Sequence, residues 1–291
     1  MSDREPRIRR SALYLPASNE RAIEKARTLP CDVVILDLED AVAPEAKEAA
    51  REMAARAVAD GGFGRRELVV RVNGLGTPWG EADLAAIGPA GADAILVPKI
   101  DDGATLRRYD ALLAQAPAAT RLWAMIETAR SMFALQDIAA QAEATRLACF
   151  VMGTNDLAKE LRASPDVGRE GFVGFLSSTV AAARAHGLSA IDGVFNDIGD
   201  AEGLVRQCAQ ALALGFDGKT LIHPGQIDIC NRAFTPGDDR IEAARAIVAA
   251  FDAPENAGAG ALKVNGQMAE RLHLEQARAL LAMRAQIDEM G

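Results

Sequence analysis

Two apolar runs in this chain end in a carboxylate in the same way. Leu122-Trp123-Ala124-Met125-Ile126 leads into Glu127-Thr128, and Ala148-Cys149-Phe150-Val151-Met152 leads into Gly153-Thr154-Asn155-Asp156. A carboxylate beside that much apolar surface needs a partner. Two of them, about one strand–helix unit apart, converge at one end of a parallel barrel. Paired hard oxygen ligands with positions left for water suit Mg2+. The same residues also suit plainer roles, one as a helix cap and the other in an ion pair. Spacing alone leaves both readings open.

Other runs also end in polar groups. The first ends near Tyr14 and Asn19, the second in Asp37-Leu38-Glu39-Asp40, the third in Arg71-Val72-Asn73 and the fourth in Pro98-Lys99. The last two carry Asp192 with Asn196, and Ile222 with His223. Asp37 and Glu39 alternate by two and share a face. With Arg71 and Lys99 they predict an inward ion-pair network, in which Glu39 or Asp40 holds metal-bound water or Lys99. Arg71 closes a Val/Leu strand and must find an anion, either Glu39 or a substrate carboxylate. His223 reads as a hydrogen-bonding wall rather than a base, and His186 and His273 as surface residues of helical segments. Lys25 and Arg21 read as a solvated helix face, or as phosphate contacts at the barrel mouth.

Several chemistries lack their residues. There is no Gly-x-Ser-x-Gly, no Cys/His dyad and no P-loop, which disfavours acyl-enzyme chemistry. A Schiff-base lysine remains open through Lys99 or Lys219. Cys31, Cys149, Cys208 and Cys230 form no CxxC pair, so they read as reduced core thiols rather than zinc ligands.

The elements that must position these groups follow from hydrophobic patterning. Eight short apolar runs alternate with Ala-rich amphipathic segments: Ala12–Pro16, Val33–Leu38, Leu68–Val72, Ala94–Pro98, Leu122–Ile126, Ala148–Met152, Ala190–Phe195 and Gly218–Ile222. Eight strand–helix units predict an α/β fold, a (β/α)8 TIM barrel, over 1–235. Residues 236–291 predict a C-terminal helical extension: a helix over Asp238–Phe251, a loop or short hairpin over Ala253–Gly266, and a closing helix over Ala269–Met290. With 49% hydrophobic residues among 291 and a net charge of −9, a large core is available and nucleic acid is not an expected partner. The N-terminus has no signal peptide and no run reaches membrane-spanning length, so a cytoplasmic location is expected.

The segments Arg10-Ser11-Ala12-Leu13-Tyr14-Leu15-Pro16, Leu36-Asp37-Leu38-Glu39-Asp40-Ala41-Val42, Val70-Arg71-Val72-Asn73, Met125-Ile126-Glu127-Thr128 and Gly153-Thr154-Asn155-Asp156-Leu157 occur in this order. In this combination the chain resembles, over essentially its whole length, the citrate lyase beta subunit-like family of the HpcH/HpaI aldolase group. The resemblance implies a TIM barrel and Mg2+ (or Mn2+) on Glu127 and Asp156, with Arg71 on the substrate. It implies Tyr14, Asn19 and Lys25 along a CoA thioester, and Ile222 with His223 along the pantetheine arm. It implies a homotrimer, in which a tail carboxylate enters the neighbouring protomer. That position is Glu270 here, where the family carries aspartate.

The implied reaction is reversible carbon–carbon cleavage of a 3-hydroxyacyl-CoA thioester, such as malyl-CoA or citramalyl-CoA, to an acyl-CoA and a small 2-oxo acid. Arg71 stabilises the enolate and Glu270 moves the proton. The alternatives are a malyl-CoA thioesterase, a citrate lyase beta subunit acting on a carrier-protein thioester, and a barrel retained for binding.

Overall fold

The computed structural model describes residues 7–164 and 168–290. They form two compact units, one of residues 9–232 and one of residues 7–8 and 233–290; the break at 232/233 precedes the 235/236 boundary expected from patterning by three residues.

The larger unit is a closed barrel of eight parallel strands, each bonded to its sequence neighbours, with the last returning to the first. The strands are β1 (Ser11–Pro16), β2 (Val33–Asp37), β3 (Glu67–Arg71), β4 (Ala94–Val97), β5 (Arg121–Ile126), β6 (Leu147–Met152), β7 (Ser189–Asp192) and β8 (Gly218–Leu221). The helices are α1 (Glu20–Ala26), α2 (Lys47–Asp60), α3 (Gly80–Ala90), α4 (Gly103–Leu112), α5 (Ala129–Ala140), α6 (Thr154–Leu161), α7 (Val173–Ala185), α8 (Ala201–Leu214) and α9 (Ile227–Phe234). Strands β2, β3 and β4 are buried at every residue. A strand covered by helices outside and side chains inside has no wet face, so its Val/Ile/Leu runs are continuous rather than alternating.

Period-two geometry then sorts the side chains. Ala12, Ile35, Val69, Leu96, Trp123, Met125, Cys149, Val151 and Ile191 form one cluster inside the barrel, with Tyr14 against it. Two residues beyond Ile35, Val69 and Met125 come Asp37, Arg71 and Glu127, so the same alternation carries these three inward at the C-terminal rim. At the opposite end Arg9 closes the interior. It pairs with Glu67 at 2.6 Å, bonds Ser189 Oγ at 2.7 Å and stacks 4.9 Å over Trp123. All four cysteines are free and buried. Among the described residues no helix is long and apolar enough to cross a membrane.

The smaller unit holds α10 (Asp238–Asp252), the hairpin of β9 (Ala261–Val264) and β10 (Gln267–Glu270), and α11 (Arg271–Met290). Asn265 and Gly266 turn the hairpin with φ of 48° and 83°, the positive pair that a two-residue type I′ loop requires. Ala269 and Glu270 therefore belong to a strand, pairing with Leu262 and Ala261, and not to the closing helix as helical periodicity had suggested. Phe251, Ala269 and Leu274 make the unit's own small core.

Candidate active site

A cavity of about 310 Å3 opens at the C-terminal ends of the strands. Tyr14, Asp37, Asp40, Arg71, Glu127, Asp156 and Ile222 line it, together with Met125, Met152, Gly153, Asn155, Asn196 and Thr220. Every lining residue lies within 9–232.

Arg71 is the hub of one side. The register sets Asp37 directly opposite it, and Nε and Nη2 donate to the two Asp37 oxygens at 2.7 and 2.6 Å. Its Nη1 lies 2.9 Å from Glu39 Oε2, misaligned for a hydrogen bond, and reaches Asp40 Oδ2 at 3.4 Å. The ion-pair network expected from Asp37, Glu39 and Arg71 is thus formed. Lys99 joins it, with Nζ 3.7 Å from Glu39 and 3.9 Å from Asp156. Burial works against the Lys99 charge, but the fields of Glu39 and Asp156 outweigh it and raise the pKa. Lys99 is a cation here rather than a free amine. Lys219 is engaged as well: it is wholly buried, and donates to Asp192 at 2.7 Å and to the Gly193 carbonyl at 2.5 Å. Neither lysine suits a Schiff base.

Glu127 sits at the barrel's inner rim, 1% exposed. Its Oε1 accepts the backbone N–H of Lys99 at 2.8 Å. Lys99 has φ of 50°, a left-handed backbone costly for a side-chain-bearing residue. The Oε2 of Glu127 lies over Gly153, where an added Cβ would come within 2.3 Å of that oxygen. Glycine at 153 is what leaves room for the carboxylate. Asp156 stands in the first turn of α6, half-buried, its carboxylate near the positive helix end.

Five carboxylates, those of Asp37, Glu39, Asp40, Glu127 and Asp156, face the cations Arg71 and Lys99 in this region, with Lys47 behind the acidic loop. Burial lifts Glu127 to about 8, and the neighbouring Glu39 adds to the rise against the Lys99 amide. Burial also lifts Glu39 to about 7, against the pull of Arg71. An oxygen-rich, cation-deficient rim with a spare Glu127 oxygen over a glycine fits a divalent cation on Glu127 and Asp156.

The other expected site residues are placed less centrally. Asn19 caps α1, accepting the Ala22 N–H at 3.1 Å, and Lys25 lies exposed on the same helix; neither lines the cavity. Ile222 lines it, while the adjacent His223 caps a short turn, its Nδ1 accepting the Gly225 N–H at 3.1 Å. His186 and His273 are half-buried rather than fully exposed. Glu270 ends β10 in the smaller unit, its backbone N–H donating to His273 Nδ1 at 2.9 Å.

Sequence reasoning missed Lys47 and Gly153. Lys47 is buried in α2 and donates to the carbonyls of Leu38 and Glu39 at 2.7 and 2.6 Å, pinning the backbone of the acidic loop from behind. A lysine in the first turn of an Ala-rich helix was the only signal. Asn155 and Asn196 exchange side-chain hydrogen bonds of 3.2 and 2.8 Å across the mouth.

With this geometry in hand, comparison with known proteins is informative. Residues 10–224 match the HpcH/HpaI aldolase/citrate lyase family. The (3S)-malyl-CoA thioesterase of Cereibacter sphaeroides is 48% identical over 94% of this chain and 93% of its own length. The citrate lyase subunit beta of Escherichia coli is 32% identical over 97% and 95%. The L-malyl-CoA/beta-methylmalyl-CoA lyase of Rhodobacter capsulatus is 32% identical over 94% of each chain. Among solved structures, the protein CitE of Mycobacterium tuberculosis in complex with magnesium, acetoacetate and coenzyme A superposes with a TM-score of 0.77 at 31% identity, covering 94% of this chain and 97% of that one. The chain belongs to the HpcH/HpaI aldolase/citrate lyase family.

Proposed function

We propose that this protein is a Mg2+-dependent enzyme acting on a small hydroxyacyl-CoA thioester of the malyl-CoA type, and that hydrolysis of the thioester to the free acid and CoA is its leading reaction. The observation that carries the reading is the rim of five carboxylates that includes Glu127 and Asp156, closed on one side by Arg71. Glu127 and Asp156 hold the cation. When bound, Mg2+ supplies Lewis-acid polarisation of the substrate oxygens it contacts. Arg71, fixed by Asp37 and Glu39, adds positive field where negative charge develops on the thioester oxygen. Met125, Met152, Val194 and Ile222 give the cavity an apolar wall for the acyl chain and the thioester arm.

Identity of 48% with the named thioesterase against 32% with the named lyase favours hydrolysis over the carbon–carbon cleavage that motif resemblance put first. The same residues support cleavage to an acyl-CoA and a 2-oxo acid as the second reading, with Arg71 stabilising the enolate. In that reading Glu270, within the 236–291 tail, exchanges the proton from a neighbouring protomer of a homotrimer. The resemblance to citrate lyase beta subunits supports a carrier-protein thioester as the alternative substrate. Asn19, Lys25 and His223 are assigned to the CoA end, outside the cavity.

Purified protein is given malyl-CoA with Mg2+ or with EDTA, and products are separated. Malate and CoA without glyoxylate is the expected outcome. Glyoxylate with acetyl-CoA would replace hydrolysis by the lyase reading. Turnover undiminished in EDTA would remove the metal from the reaction. Sedimentation gives the oligomeric state, and Glu270→Gln with full activity would exclude the tail carboxylate.

A further inference from the structure

Arg71 has little left to offer a substrate. All three of its guanidinium nitrogens face protein groups: Nε and Nη2 bond Asp37, and Nη1 faces Glu39, Asp40 and Met125 Sδ. Its charge is available, but its directed donors are largely spent. The cavity needs another donor if an oxygen of the substrate is to be held in a fixed direction.

Tyr14 supplies one. Its ring is held without help from the hydroxyl: it packs against the interior cluster of the barrel, and the Arg71 guanidinium stacks 4.9 Å from its centre. The hydroxyl oxygen is shielded from bulk solvent, yet has no hydrogen-bond partner among the described residues. A buried hydroxyl without a partner is costly, and a position that only needed the ring would be served by phenylalanine. The ring lines the same cavity as Glu127 and Asp156. Burial, and then the fields of Asp37, Glu127 and Glu39 against that of Arg71, push the phenol above its usual pKa, so it stays protonated and can donate.

Resting on the thioester reading above, we propose that the Tyr14 hydroxyl is a catalytic donor that gives its hydrogen bond to an acceptor oxygen of the bound substrate, the thioester oxygen during turnover. Negative charge grows on that oxygen in hydrolysis and in carbon–carbon cleavage alike, so the role does not depend on which reaction dominates. The bond is completed only when substrate is present, as catalytic hydrogen bonds commonly are.

The test is Tyr14→Phe, which removes one oxygen and leaves the ring, its packing and the Arg71 stack. Expected are a fall in kcat on malyl-CoA of about 100-fold, a KM within about threefold, an unchanged Mg2+ affinity by calorimetry, and a thermal midpoint equal to or above wild type. An unchanged kcat overturns the proposal. So does a lowered midpoint with a matching loss of Mg2+ binding, which marks a structural hydroxyl. If the wild-type protein turns over no malyl-CoA, the thioester reading fails separately. Tyr14 is then judged by calorimetry with acetyl-CoA and Mg2+: binding about tenfold weaker in Tyr14→Phe sustains the donor, and equal or absent binding in both proteins overturns it.

Discussion

Gly153→Ala isolates the metal site with a single carbon. Gly153 has φ of −104° and ψ of 74°, outside the left-handed region, so the substitution carries no left-handed strain. Its main effect is steric. The new Cβ would stand 2.3 Å from Glu127 Oε2, 2.4 Å from Glu127 Cβ and 3.1 Å from its Cδ. Ordinary carbon contacts begin near 3.4 Å, so Glu127 must retreat by roughly 1 Å. The backbones cannot spread cheaply to absorb this, because the Gly153 N–H donates to the Ile126 carbonyl at 3.0 Å. Nor can the carboxylate turn freely, since Oε1 is tied to the Lys99 amide at 2.8 Å.

Overpacking of this kind costs about 1–3 kcal/mol. Taken from the metal-ligating geometry, it weakens Mg2+ binding by roughly 5- to 140-fold, at about 1.4 kcal/mol per tenfold. A misplacement of about 1 Å lowers turnover by about 100-fold. Calorimetric Mg2+ titration and Mg2+-dependent thermal shift read the first effect, and malyl-CoA turnover over a Mg2+ series reads the second. The control is Gly174→Ala on α7, where an added Cβ meets nothing within 4 Å; it should stabilise the helix by about 1 kcal/mol. If Gly153→Ala binds Mg2+ within twofold of wild type, Glu127 is not a ligand held by that space.

Three further outcomes are expected. Burial pushes Glu127 up to about 8 and Glu39 to about 7 in the fold, from about 4.3 when unfolded, so the folded state holds more protons. Stability of metal-free protein therefore falls as pH rises from about 4.5 to 8, by several kcal/mol, and Mg2+ reverses the fall. A flat thermal midpoint across that window in EDTA would contradict the account. Lys47→Met removes the donor to the Leu38 and Glu39 carbonyls and should cost about 1–3 kcal/mol, with weaker Mg2+ binding as the loop loosens; unchanged Mg2+ affinity limits Lys47 to stability. Asp192→Ala strands two buried cations, Lys219 and Arg169, now paired with it at 2.7 and 2.6 Å. It should destabilise by about 3–5 kcal/mol, near 10 °C in midpoint, and a midpoint within 2 °C of wild type would refute that pairing.

Much of the barrel was legible because its signals are local. Eight apolar runs bounded by polar residues mark the strands, and alternation by two places Asp37, Arg71 and Glu127 on the same side as their inward neighbours whatever lies across from them. A loop or short hairpin was expected over Ala253–Gly266, but its second strand, Gln267–Glu270, lies beyond that range, because the helical pattern after it was extended too early. Ala269 joins the strand because pairing with Leu262 and burial against Phe251 and Leu274 decide its state. Helical periodicity carries no information about such contacts.

The tertiary structure decided everything that depends on distances between strands. By sequence, Glu39 or a substrate carboxylate was the expected anion for Arg71, and the structure corrects this to Asp37, with Glu39 beside it. Register set Asp37 opposite Arg71, and the bidentate bond with Asp37 takes up two of the three guanidinium nitrogens. Lys99 ends an apolar run and Lys219 lies within one, and by sequence both were open as amines; closure of the barrel put one beside Glu39 and Asp156 and sealed the other against Asp192. Residue types and their spacing thus determined which groups reach the rim, because strand alternation is a property of one segment. Which of those groups neutralise each other, and which remain for a metal or a substrate, is set by the stagger of all eight strands at once.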